Sequence, residues 1–170
     1  MAAPLAAAQA MAAALPPGPL LELCCGVGGI TQALAAAHPV LAVDRDPIRL
    51  AHCWANLAAA GLAERVSLLC CDLTRPALCP AAGPPAFVAA VLDPDWSPKG
   101  APSDQWTDRL DQMQPPAQEL IHLAFAYAPL VVIRLPRTLA STPELASLGG
   151  RVQEWRQDGR RRFLWAWLAR

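Results

Sequence analysis

Residues 19–29 read PLLELCCGVGG. A short apolar run carrying one acid, Glu22, meets Gly26, Gly28 and Gly29 at once, which is the pattern of a buried strand, a tight glycine turn and the start of a helix. Residues 31–37 continue that helix, Pro39 stops it, and 40–43 form a second apolar run that closes on Asp44. Asp46-Pro47 then marks another helix start, a capping acid followed by proline at the first helical position. Ile48, Leu50, Ala51, Trp54 and Leu57 recur at helical spacing and are expected on its buried face, with Gly61 as the stop.

The same alternation runs outward to the end of the chain. Residues 66–71 read as a third strand ending in Asp72, and the proline-rich stretch 76–85 links it to a fourth, 87–92. Residues 101–114 look irregular, 117–127 form a helix, 130–135 a fifth strand, and 144–148 a short helix. Two last apolar runs, 152–155 and 163–168, flank Asp158-Gly159, a strong hairpin signal. Continuous rather than alternating apolar strands between helices predict an α/β domain over residues 20–170, its mostly parallel sheet covered on both faces. Residues 1–19 read as an alanine-rich arm or short helix.

Composition bounds the function. The chain has 170 residues, 54% of them apolar, a mean hydropathy of +0.26 and only 16% charged, far from the polar composition that stays disordered. Fourteen basic groups balance fourteen acidic ones, so a protein that simply coats phosphates with positive charge is excluded and any polynucleotide must be gripped locally. The zero hides an asymmetry. Residues 1–133 carry six basic and eleven acidic groups, and residues 134–170 eight basic and three acidic. Thirty-five alanines, eighteen prolines and a single lysine, Lys99, fit codons biased toward G and C, so alanine richness carries no weight.

The opening segment lacks the cationic start of a secretory signal, and no stretch reaches a transmembrane length, so a soluble, cytoplasmic protein without a membrane partner is expected. The cysteines fall as Cys24-Cys25, Cys53, Cys70-Cys71 and Cys79, without the spacing of a metal site or a secreted scaffold. No metal is expected, and buried free thiols fit a reducing cytosol. His38, His52 and His122 are each alone.

Ligands of such sheets sit at the carboxyl ends of the strands, where the strand order reverses. Glu22 and the Gly26-Val27-Gly28-Gly29 turn lie there, and Asp44 is placed to accept hydrogen bonds from both hydroxyls of a ribose. Asp72 is placed for an adenine amino group. The pattern G-x-G-G lacks the third glycine of the dinucleotide fingerprint, and there is no Walker lysine. What remains is an adenosine-containing ligand without a pyrophosphate, and S-adenosylmethionine fits. The glycine turn alone is equally compatible with a merely tight corner; Asp44, Asp72 and the polar loop after strand four, in order, shift that balance.

LELCCGVGG at 21–29, VDRDP at 43–47, CDL at 71–73 and DPDWSPKG at 93–100 resemble the class I S-adenosylmethionine methyltransferases. Within that class the sequence is similar to the trimethylguanosine synthase group, the RNA cap guanine-N2 methyltransferases. The specific tokens are CGVGG at 25–29, Pro94 and Trp96 in the fourth motif, and Leu135-Pro136-Arg137 after strand five. The resemblance implies a Rossmann-like fold with a seven-stranded, mostly parallel sheet whose terminal hairpin supplies strands six and seven, and helices on both faces. It implies that Glu22, Cys25, Gly26, Gly28, Asp44, Asp72 and Leu73 bind the cofactor. Asp93 and the Pro94 carbonyl would orient an amine nitrogen, with Trp96 stacked on a flat acceptor. Asp95, Ser97, Lys99 and Arg137 are the expected substrate contacts.

Two departures stand in the acceptor motif. Asp93 replaces the serine of the cap enzymes, and Asp95 stands where nearly all relatives have a second proline. Asp95 either stays in solvent, adds an acceptor for a donor-rich base, or marks a site that has lost activity. For Trp96 the alternative is a side chain simply packed under the loop. The resemblance also implies a sizeable N-terminal extension, where this sequence has about 19 alanine-rich residues before strand one. Of the basic tail, Arg134 and Arg137 are expected beside the pocket. Arg160-Arg161-Arg162 lies after the hairpin turn, remote from the start of strand six, and reads as a solvated turn.

The expected activity is methyl transfer from S-adenosylmethionine to an exocyclic amine of a nucleobase, guanine N2-like, in RNA. Two alternatives are a methyltransferase for a small planar amine metabolite and a catalytically silent cofactor-binding partner subunit. A protein partner or a homo-oligomer is left open.

Overall fold

The computed structural model describes residues 3–75 and 85–170; Cys79 and all but the end of the proline-rich link lie outside the described residues. Within the described residues seven strands form one sheet: β1 (Leu20–Leu23), β2 (Val40–Asp44), β3 (Val66–Cys70), β4 (Ala89–Leu92), β5 (Leu130–Pro136), β6 (Arg151–Gln157) and β7 (Arg160–Ala169). Their order is β3-β2-β1-β4-β5-β7-β6, parallel from β3 to β5 and antiparallel for the last two. This is the expected seven-stranded sheet with a terminal hairpin.

The burial of each strand follows its place in the order. β1 and β4 lie in the middle, and every residue of both is buried, which is why their sequences are apolar without alternation. β3 was expected to be buried like the others, but it is the outer edge of the sheet, and none of its five residues is fully buried. Pairing on one side only leaves it partly in solvent.

The helices are α1 (Leu5–Ala12), α2 (Gly29–Ala35), α3 (Pro47–Ala59), α4 (Ala117–Phe125) and α5 (Pro143–Ser147). α1 buries Ala7, Ala8, Met11 and Ala12 and packs against α2. α3 starts as its sequence predicts, with Asp46 Oδ1 accepting from the backbone N–H of Ile48 at 2.9 Å and of Arg49 at 3.3 Å. Its buried face is a correction to the expected one. Leu50, Cys53 and Leu57 point inward, whereas Ala51 is exposed and Ile48 and Trp54 are 68% and 59% exposed. Nine residues separate Ile48 from Leu57, about half a turn round the helix at 3.6 residues per turn, so the two cannot share a face.

The parallel register sets where the site forms. Leu20 is level with both Val40 and Ala89, so the carboxyl ends of β2, β1 and β4 are gathered side by side at Asp44, Leu23 and Leu92. The ladder runs a little further, with Cys25 N–H donating to the Val43 carbonyl at 3.0 Å and Cys71 N–H to the Asp44 carbonyl at 2.9 Å.

Candidate active site

A cavity of about 320 Å³ opens at these carboxyl ends, at the lower end of the range for small-ligand sites. Among its walls are Cys25, Gly26, Asp44, Asp72, Leu73, Asp93, Pro94, Asp95 and Trp96, nine of the fourteen site residues read from the sequence. Glu22, Gly28, Ser97, Lys99 and Arg137 are not in its walls.

The glycine turn is tied to β2 through Asp44. Asp44 Oδ2 accepts from Gly26 N–H at 2.8 Å and Oδ1 from Asp46 N–H at 3.0 Å, so one buried carboxylate fixes both the turn and the approach to α3. Gly26 has φ +55°, and a Cβ there would meet nothing within 4 Å: the turn presents bare backbone to open space. Gly28 is needed for another reason. It has φ +88°, and a Cβ would stand 2.7 Å from the Cys53 sulfur, so α3 packs directly on the turn.

Glu22 is buried behind this turn, beside the Thr31 hydroxyl of α2. Burial pushes its pKa well above the usual carboxylate range, an effect partly offset by the Thr31 hydroxyl and reinforced by Cys53, Asp93 and Asp44. The Cys25 thiol, in contact with Cys53 and buried, is likewise held above its ordinary range, so it is a packing group and not a thiolate. Asp72 is pulled below its ordinary value by the Thr74 hydroxyl and backbone N–H, which donate to Oδ1 at 2.7 and 3.0 Å.

The acceptor loop leaves β4 through Asp93, whose N–H donates to the Leu23 carbonyl at 3.2 Å. Asp93 Oδ1 lies 3.0 Å from Arg134 Nε of β5, both side chains being largely buried. Burial raises the Asp93 pKa and the Arg134 cation pulls it back. Asp95 is exposed, and its Oδ1 accepts from Ser97 N–H at 3.0 Å. Its backbone pairs in both directions with Gln114 at 2.9 Å, and Gln114 Nε2 donates to the Ser97 carbonyl at 2.8 Å. The loop lacking its second proline is thus held by a side-chain turn and by Gln114.

Trp96 is only 5% exposed. Its Nε1 donates to the Arg134 carbonyl at 3.3 Å, the Arg134 guanidinium lies 4.5 Å from its ring centre, and Trp106 meets it edge to face at 5.2 Å. Ser97 is buried and Lys99 is exposed, both away from the cavity, and Arg137 lines a neighbouring one.

Sequence reading missed several walls: Ala3 before α1, Arg45 and Arg49 at the start of α3, and Ser103, Trp106, Gln114 and Pro115 from the irregular segment. Arg45 and Arg49 had a local signal, since they flank the acid-proline cap beside Asp44. Trp106 and Gln114 had none.

The residues present fit S-adenosylmethionine. Bare glycine backbone faces the cavity, and the acids Asp44 and Asp72 on its walls favour a cationic ligand. Among the described residues no group of three or more His, Cys, Asp or Glu gathers as for a metal, and no helix is long and apolar enough to cross a membrane.

Solved structures share the fold. A candidate rRNA methylase from Clostridium thermocellum superposes with a TM-score of 0.59 at 13% identity, over 96% of this chain and 95% of the other. A SAM-dependent O-methyltransferase from Thermotoga maritima gives 0.62 at 16% identity over 97% and 64%. The glycopeptide N-methyltransferase MtfA, solved with S-adenosylmethionine, gives 0.56 at 20% identity over 99% and 68%. Strand order, glycine turn and cavity together define a class I S-adenosylmethionine-dependent methyltransferase. Residues 18–160 match the family described as RNA cap guanine-N2 methyltransferase, and the chain belongs to that family.

Proposed function

We propose that this methyltransferase acts on an exocyclic amine of a nucleobase in RNA, with guanine N2 as the type of nitrogen. The observation that carries the reading is the pairing of Asp93, beside Pro94 on the cavity wall, with Arg134: an anionic acceptor for amine hydrogens held in place by a buried cation. Asp44 and Asp72 hold the adenosine part of the cofactor, Gly26 and Leu73 line its bed, Cys25 packs beneath, and Gly28 and Glu22 support the turn. Residues 20–170 form the methyltransferase domain, and the arm before it contributes Ala3 to the wall.

When bound, the cofactor supplies an electrophilic methyl on a sulfonium and keeps the electron pair of the carbon–sulfur bond. The Asp93 carboxylate and the Pro94 carbonyl accept hydrogen bonds from the two amine hydrogens, which turns the nitrogen lone pair toward the donor side; the proton that the nitrogen sheds on gaining the methyl passes to the Asp93 carboxylate and from there to solvent. Arg134 favours the ionised form of Asp93, in which both carboxylate oxygens accept and neither carries a proton to donate. Trp96 backs the acceptor slot from behind Arg134. Asp95, whose carboxylate is engaged with Ser97, leaves the slot open, which supports an active enzyme over a silent subunit.

The test is transfer of radiolabelled methyl to total RNA from the source cells, followed by digestion to nucleosides. Label in N2-methylguanosine is the expected result. Label confined to small molecules overturns the RNA reading in favour of a planar amine metabolite.

A further inference from the structure

β7 runs antiparallel to β5 with Phe163 opposite Pro136, so the hairpin tip projects past the carboxyl end of β5 on the side of the acceptor loop. Arg160-Arg161-Arg162, expected as a solvated turn, therefore overhangs the site. Arg161 and Arg162 line a second cavity of about 290 Å³ together with Gln157, Phe163, Trp106 and Arg137. Trp96, Trp106 and Arg134 line both cavities and stand between them.

The two cavities differ in charge. The first carries Asp44, Asp72, Asp93 and Asp95 beside Arg45, Arg49 and Arg134, whereas the second carries arginines and, among the described residues, no acid. Two of its four arginines are engaged, Arg134 with Asp93 and Arg161 with Glu154. Arg137 and Arg162 are exposed and have no carboxylate partner among the described residues. Arg137 lies over Trp106, 5.6 Å from the ring centre, so an aromatic face and a cation border the same space. Paired arginines beside aromatic rings are the chemistry of a planar base joined to a phosphate.

We propose that this second cavity takes the nucleotide adjoining the acceptor base of a single-stranded RNA. The base lies against Trp106, and its phosphate is held by Arg162 of the hairpin together with Arg137. The proposal rests on the RNA reading given above and adds the hairpin as a substrate-gripping element. It also explains how a chain of zero net charge holds a polyanion: the positive charge is gathered at one rim.

The test is binding of a fluorescein-labelled single-stranded RNA 10-mer containing guanine, across a salt series, to the full chain and to Arg162→Ala, Arg137→Ala, the double variant, and Arg65→Ala. Arg65 lies beside β3, at the amino end of that edge strand, and serves as the charge control. Arg162→Ala is expected to weaken RNA binding about fivefold to tenfold at low salt. The slope of log affinity against log salt should become shallower by about 0.7, the value for one phosphate contact on a single strand. Affinity for S-adenosylmethionine, measured by calorimetry, should stay within twofold, and Arg65→Ala should bind RNA like the wild type. RNA that is bound and methylated equally well by the double variant, or lost equally by Arg65→Ala, overturns the cavity assignment while leaving the RNA reading standing. A wild-type chain that binds S-adenosylmethionine but neither binds nor methylates RNA overturns both.

Discussion

Replacing Arg134 by methionine keeps an unbranched stem against Trp96 and Phe163 but removes the cation 3.0 Å from Asp93. At an effective dielectric constant of about 20 that pair attracts by about 5–6 kcal/mol, most of it spent against the desolvation of both ions. Breaking one side leaves a carboxylate buried without its partner, at a cost of about 3–5 kcal/mol while Asp93 is ionised. Asp93 has an escape, since it can bind a proton. Burial already raises its pKa in the native chain and Arg134 opposes the rise, so the variant raises it further.

The sign of the pH dependence follows. An acid whose folded pKa lies above its unfolded value near 3.9 costs nothing in acid, and stability is lost as pH climbs from the unfolded to the folded pKa, by about 1.4 kcal/mol per pH unit. Arg134→Met widens that window, so its deficit against the wild type should be about 3–5 kcal/mol at pH 8 and smaller by at least about 1 kcal/mol at pH 5. Urea denaturation at both pH values, with unchanged m, measures it. A deficit equal at the two pH values would show that the loss is packing on Trp96 and Phe163 and that the ion pair does not set the state of Asp93. In activity, the acid limb of kcat/KM should move to higher pH by about 1–3 units.

Three further outcomes follow from single contacts. Asp44→Ala removes the acceptor for Gly26 and Asp46 N–H as well as a wall of the cavity, and should weaken S-adenosylmethionine binding at least about 100-fold by calorimetry, since charge-assisted bonds contribute about 1.5–3 kcal/mol each. Gly28→Ala places a Cβ 2.7 Å from the Cys53 sulfur at φ +88° and should cost about 2–5 kcal/mol by urea melts; Cys53→Ala in the same chain should recover the steric part, about 1–3 kcal/mol, and a lack of any recovery would assign the whole cost to the backbone. Trp96→Phe keeps an aromatic ring but loses the bond to the Arg134 carbonyl, and should leave cofactor affinity within about twofold while lowering transfer to RNA at least about tenfold, about 1.4 kcal/mol in the barrier; normal transfer would mean that Trp96 is only a packing residue.

The order of elements was legible because five apolar runs are each followed by a turn or cap residue with a local cause, such as Gly28 before α2 and Asp46-Pro47 before α3. Burial was less legible wherever it depends on neighbours distant in sequence. The residues of β3 resemble those of a central strand, and only the sheet order makes it an edge. α3 has apolar residues on more than one face, and the packing of Gly28 on Cys53 selects which face turns inward. The acceptor motif was visible as a string, but what replaces its missing proline was not: Gln114 lies 19 positions away from Asp95, in a segment without periodicity. Trp106 reached the site by the same route.

The least legible feature was the meaning of the charge asymmetry. An acidic body and a basic tail are far apart along the chain, and nothing local says that they meet. They meet because β7 is inserted antiparallel beside β5, which brings the start of β7, with its arginines, to the end of the sheet where the acids of β2 and β4 already stand. The Asp93–Arg134 pair is the border between the two regions, with Trp96 packed against it. A sulfonium is favoured on the acidic side and a phosphate on the basic side, and an amine at the border has a hydrogen-bond acceptor in Asp93. Reversing the border, as in an Asp93→Arg and Arg134→Asp exchange, would preserve the attraction between the two side chains but set a donor where the amine needs an acceptor. Such a chain should regain much of the stability lost in either single variant and recover no transfer, which separates the structural part of the pair from its chemical one.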